Sequence, residues 1–151
     1  AKAAGAAVTK NPVQEIGWKT VTLTEEGERD ALFRELPDLL PVLQWHGDTF
    51  AIPAGGTLLA VGTECRNQAF RFRNSWGLQF HLEADSALIE RWLAMPGGRS
   101  EIERHWDARR IARIRAATRA HLPGARTLSD RVFGEFIGLF SHRRYAMLPS
   151  R

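Results

Sequence analysis

Apolar and polar residues alternate over Thr20-Val21-Thr22-Leu23. They alternate again from Gln68 to Arg73, with Ala69, Arg71 and Arg73 on one face and Gln68, Phe70 and Phe72 on the other. A period of two predicts strands there. Short apolar runs predict further strands at Val13–Ile16, Trp18–Leu23, Pro41–Trp45, Thr57–Gly62 and Leu78–Phe80. Polar and glycine-rich segments separate them: His46-Gly47-Asp48-Thr49 and Asn74-Ser75-Trp76-Gly77 read as loop and turn. Strands this close together imply at least some antiparallel pairing.

Helical spacing dominates elsewhere. Ala1 to Val8 is alanine-rich and reads as the end of a helix. Asp30 to Leu36 reads as a short helix stopped by Pro37. Asp85 or Ser86 caps a helix through Leu93 with a stripe of Leu88, Ile89, Trp92 and Leu93. Ser100-Glu101-Ile102-Glu103 has capping-box form and opens a long helix to about His121, ended by Pro123-Gly124. Ser129-Asp130 starts a last helix whose Val132, Phe133, Phe136, Ile137 and Phe140 share a face expected to be core. The tail from Ser141 is polar and expected to fray.

At 151 residues, with 44% hydrophobic and 25% charged residues, the chain has the size and balance of one globular domain. No apolar run is long enough to span a bilayer as a helix, and no signal-like apolar segment follows Lys2. The single cysteine, Cys65, excludes an internal disulfide framework and fits a reducing, cytoplasmic setting. The net charge is +4. Its basicity lies in the last third, where the arginines around Arg109, Arg110, Arg113 and Arg115 read as the solvated faces of helices. Neither nucleic acid nor a membrane is an expected partner.

The chemistry concentrates in Gly77-Leu78-Gln79-Phe80-His81-Leu82-Glu83. Side chains two apart on an extended chain point the same way. His81 and Glu83 then lie together past a strand end, where the carboxylate can fix the imidazole's tautomer. This is the base-and-orienter half of a nucleophile–histidine–carboxylate triad. The plainer alternative is a satisfied histidine beside a helix-capping acid. His46-Gly47-Asp48 follows another buried strand, and Gly47 would let a ligand approach the backbone, although an ordinary tight turn has the same pattern. Cys65 has no Gly-x-Cys-x-Gly elbow around it and reads as a structural thiol. His105, His121 and His142 lack zinc-ligand spacing, and no phosphate-binding glycine loop occurs, so no cofactor or metal is expected.

Taken together, these segments resemble the class I glutamine amidotransferases, related to the amidotransferase domain of GMP synthase. Gly77 to Glu83 is similar to the family's Gly-x-Gln-Phe-His-Pro-Glu signature, with Leu82 in place of proline. Gln44-Trp45-His46-Gly47-Asp48-Thr49-Phe50 is similar to its His-Gly-Asp loop. Glu15-Ile16-Gly17-Trp18 and Asn67-Gln68-Ala69-Phe70 resemble a stand-alone amidotransferase-like subgroup.

The resemblance implies an α/β fold, the C-terminal part of a flavodoxin-like amidotransferase sheet domain followed by a helical tail. Residues 1–93 would be the partial amidotransferase domain and 94–151 its helical extension. In the family a cysteine thiolate attacks the glutamine side-chain amide. The resemblance makes His81 the base, Glu83 its orienter, and His46, Gly47 and Asp48 the border of the glutamine or γ-glutamyl pocket. It also implies that the nucleophile elbow, oxyanion hole and N-terminal strands are missing, and that Cys65 is not the nucleophile. An inactive chain is then expected unless the N-terminal half, or a synthetase partner, completes it. The alternative is a non-catalytic amidotransferase-like interaction module. A sheet lacking strands would also leave exposed edges and an uncovered apolar face, favouring aggregation or dimerisation.

Overall fold

The computed structural model describes residues 1–95 and 108–145, with side chains described through Phe140. After a single 3₁₀ turn at Lys2–Ala4, the chain forms β1 (Val8–Leu23), α1 (Glu25–Glu28), β2 (Leu39–Phe50), β3 (Thr57–Val61), β4 (Asn67–Phe72), β5 (Ser75–Leu78), α2 (Ser86–Ala94) and α3 (Ala108–Tyr145). The five strands form one sheet in the order β2-β1-β3-β4-β5, and each of these pairings is antiparallel.

The strands predicted at Val13–Ile16 and Trp18–Leu23 are one strand, β1, whose register against β2 shifts between Lys10 and Glu15. The alternation over Thr20–Leu23 holds, with Val21 and Leu23 buried and Thr20 and Thr22 exposed. Residues 46–49, expected as a loop, continue β2 instead, because the first residues of β1 pair with them: Val8 faces Phe50, Thr9 faces Thr49 and Lys10 faces Asp48. Val8 therefore belongs to a strand, and the expected N-terminal helix reduces to the Lys2–Ala4 turn.

Helix prediction at Asp30–Leu36 also fails. The helix lies earlier, at Glu25–Glu28, where the Thr24 hydroxyl accepts from Gly27 N–H at 3.0 Å and donates to the Leu58 carbonyl at 2.8 Å. Asp30 is buried, and its carboxylate accepts from Leu32 N–H and from the Trp76 indole N–H. A side chain that bonds its own backbone two residues on stabilises a turn against a helix. Glu35 adds a positive φ of 67°.

The hairpin after β4 turns through Arg73 and Asn74, with Phe72 paired to Ser75 and Arg73 at φ 55°. β5 thus occupies Ser75–Leu78, earlier than the strand expected at Leu78–Phe80. Gly77 is required there, because a Cβ at this position would sit 2.2 Å from the Phe70 ring.

α2 begins as expected, with the Asp85 carboxylate accepting from Leu88 N–H at 2.7 Å. The capping box at 100–103 lies outside the described residues. Pro123-Gly124 does not end a helix, since α3 runs through it. An interior proline costs about 3 kcal/mol. Buried side chains on either side offset this, Ile114 and Thr118 before it and Leu128 and Val132 after it. Each fully buried aliphatic side chain contributes about 1.5–3 kcal/mol.

α3 therefore bridges two clusters of the core. Leu128 and Val132 join Val21, Phe33, Val42, Leu59 and Phe80 in the larger one. Ile114 joins Ile16, Leu43, Ile89 and Leu93 in the smaller one. Phe133, Phe136 and Phe140, expected in the core, remain 38–44% exposed.

Candidate active site at the end of the sheet

Past β5 the chain bends at Gln79–Phe80 and again at Leu82–Glu83, on either side of His81, and burial alternates: Phe80 and Leu82 are 4% and 7% exposed and sit in the larger core cluster. With these two anchored inward, His81 and Glu83 both face outward. The His81 N–H donates to the Leu43 carbonyl at 2.9 Å, which ties this segment to β2. Its Nδ1 lies 2.6 Å from Glu83 Oε1. A carboxylate only accepts, so Nδ1 carries the proton and Nε2 is the nitrogen left to take one up.

The other side of the His81 ring rests edge-on against Trp92, with centroids 4.8 Å apart, and Trp92 in turn meets Trp45 at 5.2 Å. Trp92 is held by the position of α2, which a fork of hydrogen bonds clamps to α3: the Arg115 guanidinium contacts both Glu90 oxygens at 2.6–3.1 Å. Hydrogen bonding from Arg115 holds the Glu90 carboxyl below its ordinary range. Carboxylate below, tryptophan beside and backbone behind leave the imidazole one orientation, while the ring stays 27% exposed.

The Asp48 carbonyl joins the two sequence motifs. It accepts from His46 Nδ1 at 2.9 Å and from the Gln79 carboxamide. The Gln79 N–H also donates to the Gln68 carbonyl at 2.9 Å. A cavity of about 230 Å³ opens at this junction, lined in part by Asp48, Thr49, Gly77 and Gln79. The Asp48 carboxylate points to solvent and pairs with Lys10.

The His46 side chain turns inward and is only 10% exposed. It meets a buried polar chain that sequence reasoning did not assemble: Gln44 Nε2 donates to Gln68 Oε1 at 2.8 Å, and Gln68 Nε2 donates to Glu15 Oε2 at 3.0 Å. Glu15, Gln44, Gln68 and Cys65 are all buried. The available signal was an amide next to an apolar residue in each of two strands, Gln44 after Leu43 and Gln68 before Ala69, since a buried amide needs a partner. Cys65 is wholly buried, contacts the Thr49 hydroxyl at 3.3 Å and precedes a strand, not a helix.

Comparison with known proteins agrees with the motif reading. Residues 1–92 match the family model for class I glutamine amidotransferases. The chain is 36% identical over 90 residues to the glutamine amidotransferase-like protein YfeJ of Salmonella typhimurium, covering 59% of this chain and 38% of YfeJ. Among solved structures it is similar to a glutamine amidotransferase from Thermotoga maritima, with a TM-score of 0.70 and 29% identity over 90% of this chain and 55% of that one. A glutamine amidotransferase from Methylobacillus flagellatus has the same fold, with a TM-score of 0.76 and 24% identity over 91% of this chain and 57% of that one. The chain thus spans 38% to 57% of the length of these relatives.

Proposed function

From the premise that the chain belongs to the class I glutamine amidotransferase family, we propose that it carries the histidine and carboxylate of a Cys-His-Glu centre that hydrolyses the glutamine side-chain amide. The observation that supports this most is the 2.6 Å contact between His81 Nδ1 and Glu83, on a segment fixed by the burial of Phe80 and Leu82. In this reading His81 Nε2 takes the proton of a cysteine thiol. The thiolate adds to the amide carbon. The imidazolium returns the proton to the nitrogen, the C–N bond breaks and ammonia leaves. Water then adds to the thioester with His81 as base, and glutamate departs as the thiol is restored.

Glu83 keeps Nδ1 protonated throughout and stabilises the imidazolium. The strand at His46, Gly47 and Asp48 borders the glutamine or γ-glutamyl pocket, with Gly47 and the Asp48 backbone nearest to it and His46 supporting them from behind. The nucleophile belongs to a segment that this chain does not contain. Cys65 is unsuited to the role: it is fully buried and lacks both an elbow and a following helix. Residues 94–151 act as a helical extension of the domain formed by 1–93, a reading supported by the 3.0 Å hydrogen bond from the Trp18 indole to Thr118. Ammonia would pass to an acceptor on a synthetase partner or be released.

The test is a glutaminase assay of the 151-residue chain, combined with labelling by a diazoketone analogue of glutamine that alkylates amidotransferase nucleophiles. This account expects neither turnover nor labelling of Cys65. Turnover at ordinary enzyme rates, or stoichiometric labelling of Cys65, would overturn it.

A further inference from the structure

Glu15 and His46 face each other across the β1–β2 ladder, so their side chains project to the same side of the sheet. Cys65, in the connection from β3 to β4, completes a group in which a carboxylate oxygen, an imidazole nitrogen and the thiol sulfur all lie within 4.8 Å of one another. Glu15 and Cys65 are 2% and 0% exposed, and the His46 side chain is nine-tenths buried.

The protonation state of His46 makes this arrangement unusual. The Asp48 carbonyl can only accept, so the 2.9 Å contact places a proton on Nδ1. In the neutral ring Nε2 then presents a lone pair. It sits 3.1 Å from Glu15 Oε2, yet makes no hydrogen bond among the described residues. Two buried acceptors facing each other at that distance repel unless a cation lies between them. A proton on Nε2 would relieve the repulsion as an ion pair but would leave its N–H without an aligned acceptor among the described residues, whereas a metal ion uses the lone pair directly. A histidine whose second nitrogen donates to a backbone carbonyl, leaving the first bare toward a carboxylate and a thiol, has the outer-shell arrangement of a metal ligand.

We propose that Glu15, His46 and Cys65 bind a divalent transition metal of the zinc class. One sulfur, one imidazole nitrogen and one carboxylate oxygen is a zinc-type donor set. The three donor atoms lie within 4.8 Å of one another, and tetrahedral zinc at its ordinary bond lengths would draw them to about 3.3–3.8 Å apart. Charge balances as well. On binding, the Cys65 thiol loses its proton to solvent, and thiolate plus carboxylate neutralise the dication. A neutral cluster is what a buried site tolerates. Thr49, 3.3 Å from the sulfur, is placed to donate its hydroxyl to the thiolate. The fourth position falls to water. Such a metal would pin β1, β2 and the β3–β4 connection together behind the His46–Asp48 strand. It would be structural and does not depend on the roles of His81 and Glu83.

The 151-residue chain, stripped with a chelator and titrated with Co(II), tests this directly. The sequence holds one cysteine, so a thiolate-to-cobalt charge-transfer band in the near ultraviolet can arise only from Cys65. We expect that band to saturate at one equivalent and to be bleached by Zn(II). We expect Cys65→Ser to abolish it, His46→Asn to weaken Co(II) binding at least tenfold, and the His81→Asn/Glu83→Gln pair to leave it unchanged. Absence of the charge-transfer band in the unmutated chain would overturn the proposal, as would its persistence at full strength in His46→Asn.

Discussion

Glu83 Oε1 stands 2.6 Å from Nδ1 of His81, and the residue between them, Leu82, is buried in the core. The pairing is therefore set by the alternation of burial along this bent segment, with the inward residue as its anchor. In an intact protein working as proposed, Glu83→Gln should lower the glutaminase kcat by roughly 10²–10⁴-fold, as expected when the group orienting a triad histidine is neutralised. The Glu83 side chain is 54% exposed, so the melting temperature should stay nearly constant. Steady-state ammonia release and thermal unfolding of the same variant check both halves.

Leu82→Ala should behave oppositely. Leu82 is 7% exposed and packs in the larger core cluster, so truncation leaves a cavity and should cost about 2–5 kcal/mol. Denaturant unfolding measures it. A loss below about 0.5 kcal/mol would mean that Leu82 does not anchor this segment.

Gly77→Ala should be destabilising by about 1–3 kcal/mol through overpacking. The added Cβ meets the Phe70 ring at 2.2 Å, and Phe70 is itself 5% exposed and packed at a tilt against Phe50 with centroids 5.2 Å apart. Phe70→Leu in the same chain should recover part of that loss. A double-mutant cycle showing strictly additive costs would refute the clash as the cause.

Acid should loosen the seat of Trp92. Glu90 has a folded-state pKa below its ordinary value of 4.5, because Arg115 donates to it. A group with a depressed folded pKa contributes stability above its unfolded pKa and loses it as pH falls through the folded one. Both partners are solvent-exposed, so the effect is small and salt-sensitive. Glu90→Gln should lower the melting temperature slightly near pH 7, and the difference from the unmutated chain should shrink as pH falls through the depressed folded pKa of Glu90. A difference that persists unchanged at low pH would contradict this.

Some of the fold was legible in the chain and some was not. The strands at Thr20–Leu23 and Gln68–Phe72 and the helix capped by Asp85 were readable because period and cap are local properties. The strand character of His46–Asp48 was hidden, because pairing with Val8–Lys10 supplies it and the local residues suggest a loop. Pro123-Gly124 looked like a stop, but core contacts on both sides carry α3 through it. The juxtaposition of His81 and Glu83 followed from a two-residue spacing. The cluster of Glu15, His46 and Cys65 could not be read in the same way, since its members are far apart in sequence and only the β1–β2 register and the β3–β4 connection bring them together. The exposed aromatic stripe of α3 kept its helical period, but periodicity does not say which apolar face is covered.

If His81 is the base of a glutaminase centre whose nucleophile lies outside this chain, ammonia release from glutamine reports it, measured on the protein with its nucleophile-bearing segment present and on the His81→Asn variant of the same protein. The account predicts turnover by the unmutated protein and a fall of at least about 10³-fold in kcat for the variant, with its fold intact. A His81→Asn protein that hydrolyses glutamine at the unmutated rate would contradict it, and so would an unmutated protein that releases no ammonia.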